Sequence, residues 1–196
     1  MSAQWVSGNV DLSGSPNEAQ DAATTQTAGR YNKLKLAASI KQNVGTQNTL
    51  VASAQAQYAD KHLDGSEKMY LGGMQGVRAY PTNEAGGSLG NLMSLEWQRH
   101  LMLERQRMTI AGFYDVGHVT VNKNNNFTGA ATQNKYGLSG YGMWVGGQVP
   151  SAQGLTTWRL VWSRRAGQNP AKLPNGMDQD GSLVRDRWRF TINYAF

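Results

Sequence analysis

The chain has 196 residues, 19 Lys+Arg against 13 Asp+Glu for a net charge of +6, and no Cys. The lack of Cys excludes a disulfide framework, Cys-ligated zinc and a thiol nucleophile, and no run reaches the roughly 18 apolar residues of a membrane-spanning helix. A mean hydropathy of -0.54 does not exclude a membrane β-barrel, whose strands average an apolar lipid-facing row with a polar lumen row.

Alternation of apolar and polar residues, the mark of a strand with one greasy face, recurs along the chain, whereas helical periodicity is hard to find. It predicts a short strand over 5–12, then one over 33–41, where Leu34, Leu36, Ala38 and Ile40 alternate with Lys33, Lys35 and Lys41. Further strands are predicted over 50–58, 93–99, 110–121, 138–148 and 158–163. In the last of the eight, Trp188, Phe190, Ile192, Tyr194 and Phe196 alternate with Arg189, Thr191, Asn193 and Ala195.

The connections alternate in length. SGSPNEAQDAATTQTAG is long, NVGTQN short, Asp60 to Gly87 long, MLERQR short, NKNNNFTGAATQNK long, VPSAQG short, and Arg165 to Arg185 long. Outer-membrane barrels join antiparallel strands by short periplasmic turns and long extracellular loops, and a soluble sandwich has no reason to keep this parity. The expected fold is therefore all-β, an antiparallel transmembrane β-barrel with its last strand running towards the periplasm. Trp97, Trp158, Trp162, Trp188 and Phe196 lie on the apolar rows, as interfacial girdles require; in a soluble sheet the same residues would form a core.

The segment from Leu63 to Pro81 does not alternate and sets Arg78 between apolar neighbours among several glycines. It has no P-loop Lys-Ser/Thr, and neither it nor Gly140 to Gly146 carries a dinucleotide fingerprint. His62, His100 and His118 form no recognisable Ser-His-acid set and no metal-ligand pair at i, i+2 or i, i+4, so neither an enzyme nor a metal or other cofactor is expected. Lys and Arg are spread along the chain without a nucleic-acid-binding signature, so no nucleic-acid partner is expected either.

LGGMQGVRAYP, with Gly72, Gly73, Gly76, Val77, Arg78, Ala79, Tyr80 and Pro81, resembles the long-loop motif of the two-partner secretion transporters, the haemolysin secretion and activation family. FYDVGHV, with Phe113, Asp115 and Gly117, resembles that family's following-strand motif, and LSGYGMWVGG from Leu138 resembles a late barrel strand. The family motif usually has Gly where Ala79 stands, a penalty for Ala if that position needs positive φ.

The resemblance implies the C-terminal half of a barrel of about sixteen strands, within the known range, whose complete members carry POTRA domains that this chain lacks. It implies an outer-membrane translocator for a large secreted exoprotein of adhesin or haemolysin type, embedded in outer-membrane lipid. A barrel insertase of the same superfamily, and a small eight-stranded barrel that closes on itself as an enzyme or adhesin, are the alternatives. The loop from 60 to 87 is expected to fold into the lumen, with Arg78 paired to Asp115 or, second, to Glu96. Lys33, Lys35, Lys41, Arg159, Arg187 and Arg189 are expected to line the lumen and offer hydrogen bonds to a passing chain. Trp188, Phe190, Ile192, Tyr194 and Phe196 resemble the signal read by the barrel assembly machinery.

Overall fold

The computed structural model describes residues 1–103, 106–151 and 153–196. Eight strands make one antiparallel sheet: β1 (Ser2–Val10), β2 (Gly29–Val44), β3 (Asn48–Ala59), β6 (Leu89–Leu103), β7 (Gln106–Thr120), β8 (Lys135–Ser151), β9 (Gly154–Arg165) and β10 (Asp186–Ala195). They pair in sequence order. Two short strands, β4 (Met69–Tyr70) and β5 (Gly86–Gly87), pair with each other inside the loop from 60 to 88. Among the described residues β1 and β10 are unpaired edges, so the eight strands form an open sheet and not the small self-closed barrel held as an alternative. No helix is long and apolar enough to cross a membrane, which says nothing of strands.

Most wall strands reach beyond the alternating stretch that announces them. β2 has 16 residues and β8 has 17, more than the 9–11 or so that cross a bilayer, because ladder hydrogen bonding continues beyond the stretch whose side chains alternate. The long connections, 11–28, 60–88, 121–134 and 166–185, all leave one end of the sheet, and the turn at 45–47 leaves the other. Of the two other short turns, Glu104 and Arg105 in MLERQR and Ala152 in VPSAQG lie outside the described residues. The first long connection holds a short helix, α1 (Glu18–Ala23), that its polar composition does not announce.

The two faces of the sheet differ sharply. On β10 the apolar row is open, Trp188, Phe190, Ile192 and Tyr194 being 67, 62, 62 and 53% exposed. The opposite face carries the apolar core, and the loop from 60 to 88 packs onto it. Leu71, Val77, Ala79, Tyr80 and Ala85 of the loop pack with Leu92 of β6, Val119 of β7 and Leu138 of β8. Met74 packs on Ala111, Phe113, Trp144 and Val161. Side chains of Leu or Val size contribute about 1.5–3 kcal/mol each when buried, so this docking is a substantial part of the core.

Candidate functional site

Arg78 stands at the centre of the loop–wall contact. Alternation puts Phe113, Asp115 and Gly117 on the inner face of β7, and register sets Asp115 opposite Ser94 of β6 and Gly140 of β8. Asp115 is fully buried. Its Oδ2 accepts from Arg78 Nε at 2.9 Å and from the Arg78 backbone N–H at 3.1 Å, while its Oδ1 accepts from Nη2 at 2.8 Å and from Ser94 Oγ at 2.7 Å. The pair is the bidentate fork that a planar guanidinium makes with a carboxylate.

Glu96 is a second partner, not a competitor: it accepts from Arg78 Nη1 at 2.7 Å and is steadied by Gln98. The Phe113 ring closes the remaining face, its centroid 3.4 Å from the guanidinium carbon, within cation–π range. Burial alone would push the Arg78 pKa down, but Asp115 and Glu96 more than offset it and the net shift is upward.

The backbone around Arg78 is held as closely as its side chain. Ser163 Oγ of β9 donates to the Arg78 carbonyl at 2.9 Å, and Arg189 of β10 donates from Nη1 to the same carbonyl and from Nη2 to that of Tyr80 at 2.9 Å. Ala79 has no positive φ, so its replacement of the motif's glycine carries no conformational penalty. Its methyl is accommodated from the wall, where a Cβ placed on Gly140 would lie 2.5 Å from the Ala79 Cβ. Gly73 does adopt positive φ, +111°, which glycine alone takes freely.

The inward rows of β2, β3, β6, β7, β8, β9 and β10 all touch the loop. This corrects the expectation of free lumen cations for Lys33, Arg187 and Arg189. Lys33 is paired with Glu67 of the loop at 2.7 Å, Arg187 with Asp180 at 2.7 Å, and Arg159 lies over the Trp144 ring. With Arg189 on loop carbonyls, Lys33, Arg187 and Arg189 hold loops in place, whereas Lys35, Lys41 and Arg159 remain exposed.

The histidines sit apart. His62 joins three loops through the Thr25 carbonyl and the Asn124 N–H, His100 bonds Thr49 and Thr109 on the inner face, and His118 is exposed.

The model of the haemolysin secretion/activation protein family ShlB/FhaC/HecB matches residues 4–143, which is more than half of the chain and includes the loop and β7. The chain belongs to this family. Its members are outer-membrane transporters of two-partner secretion, which places the chain in the outer membrane. It is 34% identical over 87 residues to the heme/hemopexin transporter protein HuxB of Haemophilus influenzae, covering 44% of this chain and 15% of that protein. It is 26% identical over 130 residues to the outer membrane transporter CdiB of Dickeya dadantii, covering 65% of this chain and 22% of that one. The matched stretches thus span less than a quarter of either relative, and no solved structure matches the chain.

Beyond the family motifs, the sequence reading missed a second polar cluster. Glu84, Asn169 and Asp178 are each buried and hydrogen-bonded together, with Arg165 paired to Asp178. Nothing in a linear pattern joins residues more than 80 positions apart; the only hint was the density of acids and amides in NGMDQDGS.

Proposed function

We propose that these strands are the C-terminal half of the barrel of a two-partner secretion transporter that passes a large exoprotein of adhesin or haemolysin type to the cell surface. In this reading the inner face of the sheet is the lumen wall and the loop from 60 to 87 is a plug within it. The observation that carries the reading is the Arg78 anchor: the fully buried Asp115, together with Glu96 and Ser94, converges on one guanidinium supplied by the loop. Both free edges support a larger barrel, because unpaired backbone groups cost several kcal/mol each in hydrocarbon. The missing strands would pair with β1 and β10, and POTRA domains would lie outside this segment.

The exposed row ending at Phe196 faces lipid and, before insertion, serves as the strand that the barrel assembly machinery reads by β-augmentation. Lys35, Lys41 and Arg159 stay exposed on the inner face while the loop is docked and offer hydrogen bonds to a passing chain. The test is exoprotein secretion by the complete transporter carrying Arg78→Ala, Asp115→Ala, both, or the exchanged pair. Loss with either single change, no further loss in the double and partial rescue by the exchange are expected. Equal and additive losses without rescue would refute the plug.

A further inference from the structure

We propose that Glu84 is a second latch on the plug loop, held by the β9–β10 connection (166–185) and separate from the Arg78 anchor. The inference rests on the reading of the loop as a lumen plug.

Glu84 has no exposed surface. Its Oε1 accepts from Asn169 Nδ2 at 2.8 Å and its Oε2 from the Gln179 N–H at 2.9 Å, and among the described residues its carboxylate is in no ion pair. The same Asn169 Nδ2 donates to Asp178 Oδ1 at 2.9 Å, and Asp178 is paired with Arg165 of β9 and, at 3.1 Å, with Arg187 of β10. One polar chain thus runs from the plug, through the β9–β10 connection, to the wall. Burial would push the Asp178 carboxyl up, but Arg165, Asn169 and Arg187 hold it below its ordinary range, so that end of the chain is fixed as an anion. The Glu84 end depends on neutral donors from a single connection. If that connection withdraws, Glu84 becomes a buried carboxylate without partners and must move to water.

The backbone beside it is set to move. Asn83 and Ala85 have φ of +64° and +52°, the left-handed region that Asn tolerates and Ala rarely enters. The Glu84 carbonyl accepts from the Leu71 and Gly72 N–H groups, both at 3.1 Å, closing the base of the hairpin that carries Arg78. Release at Glu84 would therefore relax strain and loosen the mount of the anchor, a local two-state element of the kind that couples sites.

The test is single-channel recording of the complete transporter in planar lipid bilayers, with Glu84→Ala, Asn169→Ala, Ala85→Gly and Arg78→Ala compared at equal amounts of heat-modifiable, inserted protein. Glu84→Ala and Asn169→Ala should each lengthen open time about tenfold, the effect of losing a hydrogen bond to a charged group. Ala85→Gly, which relieves strain while keeping every latch contact, should shorten it about threefold. If Arg78→Ala opens the channel and neither Glu84→Ala nor Asn169→Ala does, the latch is refuted and the plug stands. If none of the variants changes the current, the plug itself is refuted and the latch with it. Longer openings with Ala85→Gly would refute the strained release. Should Glu84→Ala fail to insert, Asn169→Ala, which leaves the plug sequence intact, decides by the same criteria.

Discussion

Asp115→Ala should release the plug loop more than any other single wall substitution. The side chain removed is fully buried and accepts three hydrogen bonds from Arg78 and one from Ser94. Breaking a buried pair by deleting one partner costs about 3–5 kcal/mol. Glu96 stays in contact with the stranded guanidinium, so the lower end, about 3 kcal/mol, applies; that is roughly a hundredfold rise in the undocked fraction. Glu96→Ala removes one charged contact, worth about 1.5–3 kcal/mol, and Ser94→Ala should cost about 1 kcal/mol. The order Asp115, Glu96, Ser94 is thus a quantitative expectation. Because the chain has no Cys, Met74→Cys supplies a single reporter at the point where the loop packs on Phe113 and Trp144. Its maleimide labelling rate in a Cys-free complete transporter measures undocking. A Glu96→Ala effect equal to or larger than that of Asp115→Ala would refute the assignment of Asp115 as the principal anchor. So would an Asp115→Ala effect that simply adds to that of Arg78→Ala, since contacting residues must show coupling in a double-mutant cycle.

Gly140→Ala should undock the loop, because the new methyl would meet that of Ala79 at 2.5 Å; adding Ala79→Gly should restore slow labelling at position 74, and absence of rescue would contradict the contact. Burial opposes ionisation of Asp21, but hydrogen bonds from Ala28, Thr27 and Thr25 outweigh it and hold its carboxyl at about 2. A lowered folded pKa stabilises above the ordinary value of 3.8 and is lost as pH falls through the folded one, so proteolysis within 11–28 should accelerate from pH 4 towards 2, and much less so in Asp21→Asn. Deleting Phe196 should lower the amount of heat-modifiable barrel formed by the complete protein; normal amounts would contradict its role as an assembly signal.

What was legible in the sequence is what depends on a two-residue period. Successive residues of a strand point to opposite faces, so Trp188, Phe190 and Ile192 separate from Arg189 and Thr191 without reference to any other strand. Alternation also put Asp115 with Phe113 and Gly117, and resemblance joined them to Arg78. The pairing with Glu96 was expected as a second choice, but one guanidinium has enough donors for both carboxylates. The role of Ala79 could not be read alone, because what permits it is Gly140 across the lumen face. The Glu84 cluster was hidden for the same reason: loop-to-loop hydrogen bonds have no period. Alternation placed Lys33, Arg187 and Arg189 on the inner rows, yet their use by Glu67, Asp180 and the loop carbonyls depends on where the loops fold.

The most direct test of the central claim is spin-label accessibility along β10 and at position 74 of the complete transporter in lipid bilayers. Labels at 188, 190, 192 and 194 should be open to oxygen dissolved in lipid, labels at 189, 191 and 193 should not, and the label at 74 should be shielded from both oxygen and a water-soluble nickel reagent until Asp115 is replaced. Equal accessibility of the two rows, or a label at 74 freely open to water in the unaltered protein, would contradict a lipid-facing sheet with a docked lumen loop.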